Sequence, residues 1–298
     1  MNYREKFRVE PGSRVDLAKA DAGFKDKHES HDHALPEIEA FSRKLRDLQY
    51  LMYAEGQRAL LICLQGRDAA GKDGTINHVL GAMNPQGCTV TGFKVPSREE
   101  AAHDFLWRYH QAVPGKGQVA IFNRSHYEDV LVVRVHELVP KKVWSQRYEQ
   151  INAFEKMLSD NGIHILKFYL HIDPEEQLLR FKQRIDDPAR HWKISDGDYA
   201  ERPFWDAYTE AFEDALGNCS TAHAPWFIIP SNHKWFRNLA ISRIVAETLE
   251  LLDMKFPAPS VDINEIRKKY HEIAAEEHVS TGEDPGGGRQ GRKNKKKD

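Results

Sequence analysis

Apolar and polar positions follow a regular order through the middle of the chain. Short apolar runs predict five strands, at residues 59–65, 87–92, 118–122, 163–170 and 226–229. Stretches with apolar residues at helical spacing lie between or after them, at residues 72–82, 97–111, 141–161, 174–186, 197–215 and 235–252. This order is typical of parallel βαβ units. The predicted fold class is therefore α/β, with three α/β/α layers and a central parallel sheet of about five strands.

The two ends of the chain have different patterns. Residues 1–34 are polar and carry no clear period, which predicts an N-terminal arm wrapped on the core. An amphipathic pattern from Leu35 predicts a helix that leads into the main domain, residues 35–255. A C-terminal helix is predicted over residues 256–278. Residues 279–298 are glycine-rich and then basic, which predicts a disordered tail that either aids solubility or tethers a polyanion.

Composition narrows the classes of protein that remain. The chain has 298 residues with a formal net charge of −2, so a basic site must be a local concentration of charge. No apolar stretch is long enough to span a bilayer, and the first residues lack the apolar core of a signal peptide, so we expect a cytoplasmic protein with no membrane partner. The three cysteines are far apart, which suggests neither a disulfide framework nor a zinc site.

A glycine-rich sequence follows the first predicted strand. Residues 66–75 read GRDAAGKDGT and have the G-x-x-x-x-G-K spacing of a phosphate-binding loop, with Lys72 as its lysine. Gly66 and Gly71 allow backbone conformations in which successive N–H groups turn inward, and Lys72 can open a helix. Backbone amides, helix dipole and lysine then converge on phosphate oxygens. The alternative is a glycine-rich turn without a ligand, which the flanking strand and helix disfavour.

One position of this loop departs from the usual pattern. Most such loops have a Ser or Thr hydroxyl after the lysine to hold Mg²⁺, and this chain has Asp73. The metal must therefore be held in another way. Asp68 is the nearest candidate, because a carboxylate is a hard oxygen ligand.

A polar sequence also follows the third predicted strand. Asn123 can coordinate a metal or form hydrogen bonds but cannot accept a proton as a base, and Arg124 offers a fixed fork of donors for phosphate oxygens. Two explanations remain open for Glu128 and Asp129. They satisfy the charge preference at the start of a short helix, or they act as ligands or contact substrate.

A run of cations lies on and after the helix that follows the fourth strand. Arg180 and Arg184 share a helix face, and Asp187-Pro188 then breaks the helix. Such a run is often only a solvated face. In a P-loop sheet, however, this is where nucleotide kinases carry a lid that closes over the transferring phosphoryl group. We therefore predict a helical lid over about residues 180–198, which includes Lys193.

The three segments together resemble the polyphosphate kinase 2 family. The likeness extends from about residue 20 to residue 250 and is carried by GRDAAGKDGT (66–75), FNRSHYEDVL (122–131) and RFKQRIDDPARHWKISDGD (180–198). It implies a P-loop kinase fold like that of thymidylate kinases. It also implies transfer of the terminal phosphate of inorganic polyphosphate to a nucleotide, with Mg²⁺, or Mn²⁺ in its place.

The resemblance also bears on substrates and assembly. Asn123 and Glu128 resemble the subgroup that accepts both AMP and ADP, so adenine nucleotides are the expected acceptors, with guanine nucleotides as an alternative. The family commonly forms dimers and tetramers, and we expect a homo-oligomer.

Motifs and resemblance together predict the site residues. The catalytic set is Asp68, Lys72, Arg124, Arg180 and Arg184. The nucleotide- and phosphate-binding set is Gly66, Arg67, Ala69, Ala70, Gly71, Asp73, Gly74, Thr75, Lys94, Asn123, Glu128 and Lys193. The metal is assigned to Asp68, with Asn123 and Asp129 as further candidates.

Two other classes of function remain as alternatives. The first is a P-loop kinase that phosphorylates a nucleotide or another small molecule from ATP. The second is a nucleic-acid-binding NTPase. The second is disfavoured because the cations lie in a lid-like segment rather than along a face with interleaved aromatic residues, so no nucleic-acid partner is predicted.

Overall fold

One parallel sheet organises the protein. The computed structural model describes residues 1–281, with side chains to residue 276. The five strands are β1 (Ala59–Gly66), β2 (Cys88–Gly92), β3 (Val119–Asn123), β4 (Ile163–His171) and β5 (Trp226–Pro230). They lie in the order β2-β3-β1-β4-β5, and all neighbouring pairs are parallel. The predicted five-stranded parallel sheet is confirmed.

Helices follow or precede these strands along the chain. In the described residues they are α1 (Tyr3–Lys6), α2 (His31–Glu55), α3 (Lys72–Val79), α4 (Trp107–His110), α5 (Val132–Val135), α6 (Lys141–Trp144), α7 (Arg147–Asp160), α8 (Pro174–Asp186), α9 (Asp196–Ala200), α10 (Trp205–Cys219), α11 (Lys234–Glu250) and α12 (Ile263–Thr281). Two 3₁₀ turns matter for the site, at His126–Val130 and Pro188–Lys193.

The central strand is buried on both of its faces. Leu60, Ile62 and Leu64 of β1 pack into a cluster that includes residues of α2, α3 and α11. Leu61 and Cys63 point the other way, into a cluster with residues of α7. Helices therefore cover both faces of the sheet, as the three-layer prediction requires. This arrangement explains why the sequence of β1 is a continuous apolar run rather than an alternating one.

The N-terminal arm pairs with one edge of the sheet. The N–H of Val9 donates to the carbonyl oxygen of Trp226 at 2.9 Å, and the N–H of Ile228 donates to that of Phe7 at 2.9 Å. The arm thereby covers part of the edge that β5 would otherwise expose. Helix α2 begins at His31 rather than at Leu35, because the Ser30 hydroxyl caps it by accepting from the N–H of His33.

The helix predicted over residues 97–111 is wrong. That segment contains only a 3₁₀ turn, Glu100–Ala102, and the short helix α4. The backbone is extended at His103, and the Asp104 carboxylate then accepts from the N–H of Leu106 at 2.9 Å. Such a local side-chain bond competes with the helical ladder, and it interrupts the helix here.

Residues Met1–Phe256 form one compact unit, and the described residues after Phe256 belong to a second. The second unit contains α12, which overlaps the C-terminal helix predicted over residues 256–278 but starts later, at Ile263, and ends later, at Thr281. Most of the predicted basic tail, from residue 282, lies outside the described residues. In the part of the chain that the structure describes, no helix is both long and apolar enough to cross a membrane.

Candidate active site

The candidate site lies at the carboxyl end of the central strand. Strand β1 lies between β3 and β4. The strands that follow β1 along the chain, β2 and β3, lie on one side of it, and β4 and β5 lie on the other, so the strand order reverses at β1. Ligands of open parallel sheets bind at such a point. The loop after β1 and the loop after β3 are adjacent here, because the N–H of Arg124 donates to the carbonyl oxygen of Leu64 at 3.1 Å.

The glycine-rich loop has the backbone conformation that its sequence predicts. Gly71 has φ +107°, a value that favours glycine, and the non-glycine residue Ala69 is also left-handed at φ +61°. Helix α3 begins directly after Gly71, at Lys72. The helix therefore presents the positive end of its dipole at the loop.

Lys72 is bound to the loop that it follows. Its Nζ donates to the carbonyl oxygen of Gly66 at 2.7 Å and to that of Arg67 at 3.3 Å. Burial lowers the pKa of the ammonium group, and the charge of Asp68 opposes that effect. The lysine thus spans the start and the end of the loop with its charge inside the site.

Two polar contacts join the loops after β1 and β3. An Nη2 of Arg124 donates to the Asp68 carboxylate at 3.2 Å, and the Asn123 side-chain amide donates to the Asp73 carboxylate at 2.8 Å. Arg124 itself has a left-handed backbone, with φ +63°. The structure therefore brings together these four predicted residues.

The two carboxylates of the 3₁₀ turn after β3 contact different neighbours. Glu128 lies close to Arg124 and Lys72, and burial raises its pKa while these two cations lower it. Asp129 instead pairs with Arg147 at 3.1 Å and accepts from the Tyr109 hydroxyl at 3.2 Å. Glu128 belongs to the cluster at the loop, whereas the metal role of Asp129 stays a prediction that these contacts do not favour.

Arg180 lies beneath the glycine-rich loop. Its side chain is only 5 % exposed. One Nη donates to the carbonyl oxygens of Ala69 at 2.8 Å and Ala70 at 3.0 Å, and Nε pairs with Glu176 at 2.6 Å. These contacts support the loop backbone, and direct contact between Arg180 and a substrate stays a prediction.

The other predicted lid cations lie farther along the same segment. Arg184 pairs with Asp198 at 2.8 Å and donates to the carbonyl oxygen of Lys193 at 3.2 Å. Burial and then the charge of Asp68 raise the pKa of Asp198, which shows that this segment lies near the loop. The Lys193 side chain is exposed, and its Nζ lies 4.9 Å from the Trp192 ring centroid.

Comparison with known proteins decides the family. The sequence model described as polyphosphate kinase 2 matches residues 28–257. The chain belongs to the polyphosphate kinase 2 family. It is therefore a phosphate-transferring enzyme with the P-loop kinase fold, as its sequence predicts.

Relatives cover most of the chain. It is 49 % identical over 256 residues to the AMP/ADP-polyphosphate phosphotransferase of Meiothermus ruber, covering 86 % of this chain and 96 % of that protein. It is 43 % identical over 265 residues to the ADP-polyphosphate phosphotransferase of Rhodopseudomonas palustris, covering 85 % and 92 %. The crystal structure of polyphosphate kinase 2 from Arthrobacter aurescens TC1 superposes with a TM-score of 0.88 at 39 % identity, covering 91 % of this chain and 97 % of that chain.

Two predicted residues of this family member have side chains directed elsewhere. Arg67 stacks on the Trp205 ring, 3.7 Å from its centroid, and donates to the Thr209 hydroxyl at 2.6 Å. Its backbone belongs to the loop, but its guanidinium binds α10. Lys94 has an exposed side chain, and its carbonyl oxygen accepts from Arg108 at 2.8 Å. A phosphate contact by Lys94 stays a prediction.

Sequence reasoning missed two residues that contact the loop. Arg237 of α11 is 2 % exposed and donates to the carbonyl oxygen of Ala70 at 3.1 Å. Gln177 of α8 donates to the backbone carbonyl oxygen of Asp68 at 3.0 Å. A signal for Arg237 was present, because it is a cation within the otherwise apolar spacing of the last core helix.

The donor set of this site suits a hard divalent cation. Among residues 1–276, no group of three His, Cys, Asp or Glu side chains could hold a metal without other ligands. Mg²⁺ does not need such a group, because proteins commonly bind it through one or two carboxylates together with substrate phosphates and water. Asp68, with Asp73 and Asn123 nearby, offers hard oxygen donors of this kind beside the phosphate-binding loop.

Proposed function

We propose that this protein transfers the terminal phosphate of inorganic polyphosphate to AMP and to ADP, with Mg²⁺ as the metal. The observation that carries the proposal is the cluster at the carboxyl end of β1. There the glycine-rich loop and the start of α3 face the Asp68–Arg124 pair, whose atoms are 3.2 Å apart. Family membership supplies polyphosphate as the donor.

The choice of acceptor rests on relatives and on two residues. The Meiothermus ruber protein is named for both AMP and ADP, whereas the Rhodopseudomonas palustris protein is named for ADP alone. Higher identity to the former supports both acceptors for this chain. Asn123 and Glu128 support the same subgroup. Adenine nucleotides are the expected acceptors, and guanine nucleotides are to be tested beside them.

The reaction requires positioning and charge neutralisation more than proton transfer. A phosphate oxygen of the nucleotide, already ionised at neutral pH, forms a bond to the terminal phosphorus of polyphosphate. The bond from that phosphorus to the bridging oxygen breaks, and the shortened polymer leaves with the electron pair. Fixed cations and backbone dipoles stabilise the charge on the transferring group.

Each loop has a part in this scheme. The amides of the glycine-rich loop, the start of α3 and Lys72 bind phosphate oxygens, and Arg124 supplies a second fixed cation opposite them. Asp68 would hold the metal together with the phosphates, with Asp73 and Asn123 beside it. When bound, Mg²⁺ supplies positive charge that offsets the charge of the reacting oxygens.

Assembly into a homo-oligomer, as a dimer or a tetramer, is a further part of the proposal. Helix α8 exposes two leucines, Leu178 and Leu179, at 51 % and 49 %. A second chain packed on these leucines would remove their apolar surface from water. Sedimentation of the purified protein tests this part.

A direct assay tests the function. Purified protein is incubated with polyphosphate, Mg²⁺ and either AMP or ADP, and the expected products are ADP and ATP. Asp68→Asn should lower kcat by about 10²–10³-fold or more, since it removes a charge at the reacting centre, and should leave the melting temperature nearly unchanged. Asp160→Asn, which removes an exposed partner of Lys156 on α7, is the matched control.

Two outcomes would contradict the proposal. Phosphorylation of the acceptor by ATP without any reaction of polyphosphate would favour the ATP-dependent kinase instead. Near-normal turnover of Asp68→Asn would remove Asp68 from the mechanism.

A further inference from the structure

Two buried arginines meet on one carbonyl group of the glycine-rich loop. The carbonyl oxygen of Ala70 accepts from Arg180 at 3.0 Å and from Arg237 at 3.1 Å. Arg180 reaches it from α8, and Arg237 reaches it from α11. Two helices that are distant in sequence are thus fixed to the same peptide group.

The charges at this point do not balance. Arg180 is paired with the Glu176 carboxylate. The other donors of Arg237 go to the neutral side-chain oxygen of Asn238, at 3.1 and 2.8 Å. Within the described residues no carboxylate pairs with Arg237, and burial, followed by the charge of Arg180, lowers its pKa to about 9. A buried charge without an opposite partner is costly, so an anionic ligand nearby would relieve the cost.

The guanidinium of Arg237 also fits closely against the start of α3. A Cβ atom at Gly71 would lie 1.8 Å from Nη1, and one at Gly74 would lie 3.0 Å from Nη2. The glycine at position 71 is therefore required both by its φ of +107° and by the approach of this side chain. Arg237 lies against the backbone that is expected to bind phosphate.

The geometry of the Ala70–Gly71 peptide determines where the N–H of Gly71 points. All peptide bonds of the described chain are trans, so the N–H of Gly71 points away from the carbonyl group of Ala70. The two arginines fix that carbonyl group on the α11 side. In the described part of the chain the N–H of Gly71 has no acceptor, so it is available to a ligand on the opposite side.

We propose that Arg237 is a positioning residue for phosphoryl transfer. It holds the Ala70–Gly71 peptide with its N–H facing the phosphate chain, and it places a buried positive charge behind the loop that the bound phosphate chain balances. This inference rests on the proposed function, in which the loop holds phosphate.

Substitution of Arg237 tests the proposal on the full-length enzyme. Arg237→Met removes the charge and the hydrogen bonds, whereas Arg237→Lys keeps a charge and loses the planar fork. Arg243→Met is the control on the same helix, because Arg243 pairs with Glu37 and Glu247 instead. The measurements are kcat, KM for polyphosphate, the melting temperature, and the Kd of inorganic tripolyphosphate by calorimetry.

The expected result separates positioning from folding. Arg237→Met should raise the Kd of tripolyphosphate by about tenfold or more and lower kcat, at a temperature where the variant is folded. Arg237→Lys should recover much of the affinity but little of kcat. Arg243→Met should bind tripolyphosphate like the wild type. A folded Arg237→Met or Arg237→Lys enzyme with wild-type Kd and kcat would overturn the proposal, whatever its melting temperature.

A parallel variant distinguishes this failure from that of the proposed function. If Lys72→Ala binds tripolyphosphate as the wild type does, the loop does not hold phosphate, and the assignment of the loop fails together with this inference. If Lys72→Ala loses binding while both Arg237 variants keep it, only the inference about Arg237 fails.

Discussion

Two groups of charge meet at the 3₁₀ turn His126–Val130, and they are partnered differently. The core network joins Lys167 of β4 to Glu155 of α7 at 2.6 Å, and the same Nζ donates to the Tyr127 hydroxyl at 2.8 Å and to the carbonyl oxygen of Cys219 at 2.6 Å. His126 lies 2.9 Å from the other oxygen of Glu155. Each charge of the core network has a partner within the chain.

The site cluster comprises Lys72, Arg124, Glu128 and Arg237, and its charges are paired unequally. Arg124 binds the Asp68 carboxylate at 3.2 Å, whereas in the described residues no carboxylate pairs with Arg237. Burial raises the pKa of Glu128 and lowers the pKa of Lys72 and of Arg237. In the core network burial also raises the pKa of Glu155, but Lys167 and His126 more than offset it, and the net pKa is lowered. The core network therefore holds Glu155 charged through partners in its own chain, whereas the buried charge of Arg237 is one that an anionic ligand would stabilise.

The largest effect on stability is expected in the core network. Lys167→Met leaves Glu155 buried without its cation, so it should lower the free energy of unfolding by about 3–5 kcal/mol. Lys156→Met is the control on α7, because its exposed pair with Asp160 should contribute at most about 1 kcal/mol. Urea unfolding at neutral pH measures both. Equal stability of the two variants would contradict the distinction between the core network and a surface pair.

A smaller loss of stability is expected when Arg180, beside the site cluster, loses its charge. Arg180→Met leaves the loop carbonyls with fewer donors and should lower the free energy of unfolding by about 1–3 kcal/mol. It should also reduce the rise in melting temperature that tripolyphosphate causes, since the loop loses a support. Arg190→Met, which removes an exposed partner of Asp187, is the control. A loss as large as that of Lys167→Met, with an unchanged response to tripolyphosphate, would break the comparison.

The sequence predicted the parts of the fold that depend on local patterns. The apolar run of β1 and the spacing of residues 66–75 are local signals, and they placed the sheet and the loop correctly. The burial of α8 is not a local signal. This helix buries Gln177 and Arg180 against the loop while it exposes Leu178 and Leu179, the reverse of what an apolar pattern indicates. Only the position of the loop, more than a hundred residues earlier, explains that choice.

Lowering the pH should reduce the unfolding free energy of the wild type more than that of a variant that lacks the Glu155 charge. Because the pKa of Glu155 is lowered in the folded protein, its contribution to stability is present above the ordinary glutamate pKa of 4.5 and is lost as pH falls through the lower folded value. The difference in unfolding free energy between the wild type and Glu155→Gln should be constant above that pH and should shrink below it. A constant difference down to pH 3 would show that Glu155 is not held charged.

The smallest effect is expected at the exposed contact between the two loops of the site. The Asn123 amide donates to Asp73 at 2.8 Å in an exposed setting, so Asn123→Asp should cost at most about 1 kcal/mol of stability. It also places two carboxylates side by side, and a divalent cation should relieve their repulsion. Mg²⁺ should therefore raise the melting temperature of Asn123→Asp more than that of the wild type.

The control is the double variant that combines Asn123→Asp with Asp73→Asn. It again has one amide and one carboxylate, at exchanged positions, so its response to Mg²⁺ should return to that of the wild type. Identical responses in all three proteins would mean that the loops after β1 and β3 do not share a cation, and Asp68 would then hold the metal without Asp73 and Asn123.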